Sequence, residues 1–228
     1  MADQASLVKA ATRKSHSRRD VFHAWLVEGA EFVGAYDIPA LKPVDARPER
    51  LVPFSKAMGA ARPDPETFVH FYEDDYRFER LWNNPKAYVA RLSCFAGVIM
   101  PDFSICVDFP EALKIWNTYR NFALASWLQS QGLTVVPNVR NEPGSDEYSL
   151  KPVPKTSTIA IGTHGCVKRR DDRRRLARDI RHAIDYCEPT RVLVYGSDAY
   201  GVLDYVRSTG VETMLYPASC RDAIAEDR

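Results

Sequence analysis

The sequence predicts an α/β protein with a mostly parallel sheet of about seven or eight strands. From about residue 95 to residue 217, short apolar runs alternate with helical segments, and a polar side chain follows most of the runs. Strands that are apolar along their whole length suit a parallel sheet that is buried on both faces. An incomplete (β/α) barrel and an open three-layer sheet both fit this pattern. No linker rich in Pro, Gly or Ser divides the chain, so we expect a single domain over residues 32–217.

The polar residues that end the later strands form the main candidate site. Open parallel sheets and (β/α) barrels bind their ligands at the carboxyl ends of the strands. We therefore expect these side chains to converge on one cleft, where Asp102 or His164 would be the general base of a reaction. The four residues are Asp102, Asn138, His164 and Ser197.

The N-terminal half supplies the remaining strand candidates. Two proline-punctuated runs, over residues 37–43 and 51–54, are typical of edge strands, because proline cannot donate a hydrogen bond to a ladder. Residues 68–72 and 213–217 complete the set. The sequence indicates no crossover helix after the first strands, which keeps the barrel and the open sheet as alternatives.

Composition places the chain among globular proteins. Hydrophobic residues make up 45% and charged residues 27% of the 228 residues, which excludes wholesale disorder. Lys and Arg total 31 against 30 Asp and Glu, so no global field attracts nucleic acid or membrane. No apolar run approaches the roughly 18 residues of a membrane span, and we expect a cytoplasmic protein. Five widely spaced cysteines without a C-x-x-C pair indicate neither a disulfide framework nor a zinc ribbon.

The two ends of the chain are expected to lie outside the domain. Residues 1–20 carry five basic side chains against two acidic ones. This basic, flexible arm either contacts a phosphate backbone or is a solvated tail without a specific role. Residues 218–228 are expected to form a C-terminal tail.

A long helix predicted over residues 110–132 carries one charged residue on its apolar side. A guanidinium removed from water is costly unless a carboxylate meets it, so Arg120 should have an acidic partner. The candidates are Asp74, Asp75 and Asp102, and in that case Arg120 holds the fold. If a ligand phosphate or carboxylate is the partner instead, Arg120 is a binding residue.

The turn Gly162-Thr163-His164-Gly165 lies between a predicted strand and a predicted helix. Two glycines allow a close approach of the backbone to a ligand, and amides at a helix start favour an anion. The spacing matches neither a dinucleotide fingerprint nor a P-loop. His164 is a candidate general base or metal ligand, because a histidine side chain can exchange a proton near neutral pH. The alternative is a turn histidine that is held by backbone hydrogen bonds.

The acidic run Glu73-Asp74-Asp75 is a candidate for divalent metal binding together with Asp102. Carboxylate oxygens are suitable ligands for such an ion if the two strands are neighbours. The alternative is that Asp74 or Asp75 caps the following helix, which requires no metal.

The segment over residues 141–154 is the longest predicted loop. It follows the end of a strand, where a lid over the site would lie.

An arginine-rich helix is predicted downstream of the glycine turn. The stretch over residues 168–181 contains eight basic and three acidic residues, with apolar residues along one face. One interpretation is contact with a nucleic-acid backbone; the other is a solvated face in which Asp171 and Arg175 pair. The residues of the first interpretation are Lys168, Arg169, Arg170 and Arg173.

Four strings of the sequence carry a family resemblance. They are FYEDDYRFERLWNNP (71–85), PDFS (101–104), IWNTYRN (115–121) and GTHGC (162–166). They resemble the bacterial and phage family called domain of unknown function 4417, over about residues 32–217. The resemblance implies no activity and transfers no catalytic residue. The occurrence of the family in phages, plasmids and bacterial chromosomes implies a role with nucleic acid or with a host component.

Two functions are compatible with the sequence. The first is an enzyme, such as a hydrolase or phosphoryl-transfer enzyme, or a binding protein for a phosphate-bearing small molecule or nucleotide. Its ligand would contact Asp74, Arg120, Asn138, Ser197 and the glycine turn, with a divalent metal as the cofactor to consider. The second is a noncatalytic nucleic-acid or protein-interaction module that uses the arginine-rich helix and the basic arm.

Overall fold

Seven parallel strands form the centre of the computed structural model, which describes residues 20–165, 167 and 169–218. They are preceded by a short antiparallel pair. The strands are β1 (Phe32–Val33), β2 (Ile38–Pro39), β3 (Arg50–Pro53), β4 (Thr67–His70), β5 (Gly97–Ile99), β6 (Val135–Val136), β7 (Thr158–Gly162), β8 (Arg191–Tyr195) and β9 (Glu212–Tyr216).

The parallel strands follow one another in chain order. Strands β3 to β6 form one ladder and β7 to β9 form another. A parallel bridge between Asn138 and Ala160 joins the two ladders. The predicted α/β class with a mostly parallel sheet is confirmed.

Helices fill the connections between these strands. The described residues form seven α-helices and two short 3-10 helices, over Ala24–Val27 and Ala199–Gly201. The α-helices are α1 (Phe54–Gly59), α2 (Asp75–Asn83), α3 (Lys86–Leu92), α4 (Glu111–Ser130), α5 (Asp146–Ser149), α6 (Arg170–Cys187) and α7 (Asp204–Ser208). No helix in this part of the chain is both long enough and apolar enough to cross a membrane.

The first parallel strand does have a helix after it. We expected none, and α1 corrects that expectation for β3. Phe54 and Ala57 lie three residues apart and are fully buried, so this short helix has an apolar face that packs on the core.

Alternate residues of the strands enter two different apolar cores. Val69, Val98 and Val192 belong to the larger core, which also contains the buried residues of the helices. The neighbouring positions belong to a second core without any helical residue. Its buried members are Ala46, Phe68, Ile99, Val136, Ala160 and Leu193.

The second core shows that the sheet is strongly curled. Residues from all seven parallel strands pack in it, including Leu51 of β3 and Met214 of β9. Strands β4 and β8 are separated by three others, which in a flat sheet would place them about 19 Å apart. The rings of Tyr72 and Tyr195 nevertheless lie 5.0 Å apart. Of the two predicted arrangements, the structure has the incomplete barrel.

The barrel remains open between its edge strands. In the described part of the chain, β3 and β9 do not pair with each other. The segment over residues 44–48, which leads toward β3, contacts the β7 to β9 ladder at the amino ends of its strands: Ala46 N donates to Thr158 Oγ1 over 3.1 Å, and Arg47 forms an ion pair with Glu212. This segment therefore covers that end of the inner core, and the carboxyl ends are left for a site.

The predicted arm and tail fall almost entirely outside the described residues. Apart from Asp20 and Ala218, the segments 1–20 and 218–228 lie outside the described residues. Lys168, from the stretch predicted to form the arginine-rich helix, and Cys166 lie outside them as well.

Candidate functional site

A chain of hydrogen bonds joins the carboxyl ends of three neighbouring strands. Tyr72 Oη, after β4, donates to Asn138 Oδ1 over 2.9 Å, and Asn138 Nδ2 donates to Asp102 Oδ1 over 2.9 Å. Arg140 Nε lies 3.0 Å from the same carboxylate oxygen. The structure thus brings Asp102 and Asn138 together, as the sequence predicts. We call Tyr72, Asn138, Asp102 and Arg140 the polar network.

Asp102 is the buried charge of this network. Only 7% of the residue is exposed. Burial raises the pKa of the Asp102 carboxyl, whereas the Arg140 guanidinium and the Asn138 amide favour its ionised form. A buried carboxylate that accepts from two donors fixes the orientation of both, so Asp102 positions the Arg140 side chain.

Helix α4 supports the loop that carries Asp102. Asn121 Oδ1 accepts from Phe103 N over 2.8 Å, and Asn117 Nδ2 donates to Ser104 O over 2.6 Å. Both asparagines are buried. The polar side of α4 therefore satisfies backbone groups of the strand-end loop, which would otherwise be unpaired inside the protein.

Arg120 does not belong to the polar network. Its Nη1 lies 3.1 Å from Glu79 Oε1 of α2, and its guanidinium lies 3.7 Å from the centre of the Phe103 ring. The predicted partners Asp74, Asp75 and Asp102 are wrong, because α4 packs beside α2 at the turn that presents Glu79. These contacts match the interpretation in which Arg120 holds the fold.

Aromatic side chains fill the inside of the barrel next to the network. The rings of Tyr72 and Tyr195 stack at 5.0 Å with an interplanar angle of 8°, and His70 lies 4.4 Å from Tyr195. His164 meets Tyr195 edge to face at 6.2 Å. Burial, followed by the Asp102 charge, raises the pKa of Tyr72 well above its ordinary value. Tyr72 therefore remains a neutral hydrogen-bond donor.

The glycine at position 162 makes room for this stack. A Cβ atom added to Gly162 would lie 2.8 Å from a ring carbon of Tyr72. This is a reason for glycine that the sequence does not reveal, since we expected close approach to a ligand. Gly165 has φ +76° and open space around its Cα, as a tight turn requires.

Thr163 ties together the loops that follow β7 and β8. Its hydroxyl donates to Ser197 O over 2.8 Å and accepts from Ser197 N over 2.8 Å. Gly196, with φ +125°, permits this contact, because a Cβ there would lie 2.5 Å from Thr163 Oγ1. Thr163 and Ser197 thus lie together, on the side of the barrel that carries His164.

The acidic run after β4 is divided among different partners. Glu73 accepts from the backbone and hydroxyl of Ser55, and Asp75 accepts from the backbone and hydroxyl of Ser104. Asp74 stands at the N-cap position of α2 without a side-chain capping bond. Across residues 20–165, 167 and 169–218, no three His, Cys, Asp or Glu side chains form a cluster that could hold a metal ion. The divalent metal therefore gains no ligand set from these residues.

A cavity of about 480 Å³ lies beside the polar network. It is bounded by the segment after β6, over residues 139–148, and by α6, with the end of β7 between them. The segment we expected to act as a lid forms one of its walls. The residues that line it include Val107, Val139, Arg140, Ile161, Leu176 and Ile180. Arg140 belongs both to the cavity wall and to the polar network.

The carboxylates of the cavity each have a cationic partner. Lys114 Nζ lies 2.6 Å from Glu142 Oε1, and Lys114 is buried. Arg178 lies 2.7 Å from Asp179. Burial is the main cause of the raised pKa of Asp179, and the Glu142 charge adds to it, so these two carboxylates influence each other across the cavity.

Helix α6 has a different ion-pair register from the predicted one. Asp172 lies 2.6 Å from Arg175, and Asp171 lies 4.0 Å from Arg174. The predicted pair of Asp171 and Arg175 is wrong, because each carboxylate meets the arginine three residues later. Arg173 donates to Val167 O over 3.0 Å.

Sequence reasoning missed several residues of this site. Tyr72 and His70 alternate with apolar positions of β4, and Arg140 follows Asn138 by two residues. Side chains two residues apart on a strand share a face, so this spacing was the available signal.

These observations define a class of protein: an α/β protein whose parallel strands curl into an incomplete barrel, with a polar network and a cavity at their carboxyl ends. The chain belongs to the family described as Domain of unknown function (DUF4417), whose model matches residues 30–208. The resemblance noted in the sequence is thereby confirmed.

Two phage proteins are similar to this chain. The Gene 1 protein of Mycobacterium phage L5 is 31% identical over 175 residues, which cover 73% of this chain and 73% of the phage protein. The Gene 1 protein of Mycobacterium phage D29 is 30% identical over 175 residues, which cover 73% of this chain and 62% of the phage protein. No solved structure matches the chain. Neither the family description nor these two names states an activity.

Proposed function

We propose that this protein binds a small organic phosphate in the cavity beside α6, with Arg140 as the residue that holds the phosphate. The observation that carries the proposal is that Arg140 belongs both to the polar network and to the lining of the cavity. Its Nε is fixed by the buried Asp102 at 3.0 Å, and the residue lines the cavity. A guanidinium held in one orientation loses little entropy when it binds an anion, and its planar fork matches phosphate oxygens.

The size and the walls of the cavity favour an organic ligand over a bare ion. A volume of about 480 Å³ lies in the range of small-molecule sites. Val139, Ile161, Leu176 and Ile180 give it apolar surface. We infer that the apolar body of the ligand, such as a sugar or a base, packs against these side chains while its phosphate meets Arg140.

The charge pairs of the cavity disfavour a cationic ligand group. Glu142 and Asp179 are already neutralised by Lys114 and Arg178, which leaves little attraction for a cation. Arg175 pairs with Asp172 and is half-exposed. Such exposed pairs contribute only about 0–1 kcal/mol, so Arg175 can turn toward a bound phosphate at low cost.

The same proposal covers chemistry at the barrel end. Asp102 already accepts from Arg140 and Asn138, so it serves as the positioning carboxylate. We assign the general-base role to His164, which lies between Gly162 and Gly165, two residues that line the cavity, and whose ring meets Tyr195. An imidazole can accept a proton through one ring nitrogen and donate one through the other, which suits proton transfer to or from a bound ligand.

The test is a thermal-shift panel of nucleotides, sugar phosphates and inorganic phosphate, each run beside its unphosphorylated counterpart. Binding to the native state raises the unfolding temperature, and a ligand at a hundred times its dissociation constant stabilises by about 2.7 kcal/mol. We expect at least one organic phosphate to shift the wild-type protein while its unphosphorylated counterpart does not. The shift should disappear in Arg140→Gln.

The control is Arg47→Gln. Arg47 is an exposed arginine in an ion pair with Glu212, at the amino ends of the strands. The same loss of one positive charge there should leave the shift intact. If the ligand raises the unfolding temperature of Arg140→Gln and Arg47→Gln equally, the proposal is wrong.

A further inference from the structure

Tyr200 is exposed in a backbone conformation that disfavours a side chain. The residue is 76% exposed, and its φ of 65° and ψ of 25° lie in the left-handed region. A residue other than glycine in this region costs roughly 1–2 kcal/mol. The ring meets the Arg173 guanidinium and is otherwise exposed. An exposed aromatic ring held in a strained turn is a reason to look for a partner outside the chain.

The surroundings of the ring are rich in guanidinium groups. The Arg173 guanidinium lies 3.9 Å from the centre of the Tyr200 ring and is anchored by its bond to Val167 O. Arg169 and Arg170 lie one helical turn before Arg173 and are exposed. Neither of these two forms an ion pair within the part of the chain that the structure describes.

The carboxylates beside the strained turn have a cationic partner other than these arginines. Asp198 forms an ion pair with Arg207 and accepts from Leu203 N over 3.1 Å. Asp204 lies 3.7 Å from Arg207. The acidic side chains beside the strained turn therefore have Arg207 as their cation, and Asp171 and Asp172 of α6 lie nearest to Arg174 and Arg175. Arg169 and Arg170 remain available to an anionic partner.

We propose that Arg169, Arg170, Arg173 and Tyr200, together the Tyr200 surface, bind single-stranded nucleic acid. In this arrangement the exposed face of the Tyr200 ring stacks on a base, while the arginines contact the phosphates on either side. Positive side chains interleaved with an aromatic ring suit a single strand, since its bases are free to stack. The surface does not include the cavity, so the proposal is independent of the small-molecule site.

The test is fluorescence anisotropy of the full chain with labelled single-stranded oligonucleotides, DNA and RNA, at several salt concentrations. We expect Tyr200→Ala to weaken binding at least fivefold and Tyr200→Phe to retain it, since base stacking contributes about 1–3 kcal/mol. Reversing Arg169 and Arg170 to Glu should weaken binding at least tenfold. The slope of log Kd against log salt should then fall by about 1.4, from two lost phosphate contacts.

A charge-matched control separates this surface from general electrostatics. Lys151→Glu with Lys155→Glu makes the same change in net charge at exposed lysines that pair with Glu147 and Glu188. Its binding should equal that of the wild type. The proposal is overturned by no binding at low salt, by equal losses in the control, or by full affinity in Tyr200→Ala. Equal affinity for duplex DNA or for polyglutamate would also overturn it, because neither offers an unstacked base.

Discussion

Tyr72 and Tyr195 stack at 5.0 Å across the inside of the barrel, although their strands are separated by three others. This contact closes the space above the inner core and leaves the Tyr72 hydroxyl directed at Asn138. The packing of the barrel and the polar network of the candidate site therefore share one side chain. A change at this ring pair should disturb both.

Gly162→Ala should destabilise the fold through that pair. The added methyl group would lie 2.8 Å from the Tyr72 ring, closer than packing allows, and overpacking of this kind costs about 1–3 kcal/mol. Chemical denaturation measures the loss. In the Tyr72→Ala background the same glycine substitution should cost much less, because the colliding ring is absent. Additive losses would show that the collision is not the cause.

The burial of Asp102 should leave a signature in the pH dependence of stability. Its pKa is raised in the folded protein from an ordinary value of 3.8. Above that value the folded protein holds this proton more tightly than the unfolded chain does, so the Asp102 contribution to stability falls as pH rises through the folded pKa. Asp102→Asn should remove this decline, as measured by denaturation midpoints at several pH values. The raised pKa of Asp179 acts in both proteins and cancels in their difference. If the denaturation midpoints of wild type and Asp102→Asn depend on pH in the same way, the account is contradicted.

Thr163→Val should weaken the contact between the loops that follow β7 and β8. The substitution keeps the shape of a fully buried side chain but removes both hydroxyl bonds to Ser197. Unpaired buried groups cost about 1–3 kcal/mol, so the free energy of unfolding should fall by that amount. Thr213→Val on the edge strand β9 removes one bond, to Val211 O, and is the matched control. If the free energy of unfolding falls no further than in the control, the hydrogen bonds between Thr163 and Ser197 contribute little to stability.

Arg120→Met should separate support of the fold from ligand binding. Loss of the Glu79 ion pair and of the stacking on Phe103 should lower the free energy of unfolding by about 1–2 kcal/mol. The dissociation constant for an organic phosphate, measured by titration calorimetry, should stay unchanged, because Arg120 lies outside the cavity lining. Weaker binding without a change in stability would reverse this assignment.

The sequence was sufficient for the strands and for part of the site. Each parallel strand is a short apolar run, and Asp102 and Asn138 meet because they follow the neighbouring strands β5 and β6. The curl of the sheet was left open, because it depends on which side chains fill the inner core. Once the sheet curls, Tyr72 and Tyr195 come together from distant strands, and no local pattern in the sequence marks that contact.

Contacts between helices were harder to predict from the sequence than the strands. Arg120 was expected to need an acid, and it has one, but Glu79 could be identified only once α2 and α4 were seen side by side. The cavity shows the same limit, since its walls come from α6, the end of β7 and the segment after β6. Arg140 was accessible to sequence reasoning, since its spacing from Asn138 places both on one face of an extended chain.

Titration calorimetry of the strongest organic phosphate in the panel tests the central claim most directly. It compares wild type, Arg140→Gln and Arg47→Gln. Charge-assisted hydrogen bonds contribute about 1.5–3 kcal/mol, so we expect Arg140→Gln to weaken binding at least tenfold and Arg47→Gln to match the wild type. Unchanged affinity in Arg140→Gln would place the ligand elsewhere and contradict the account.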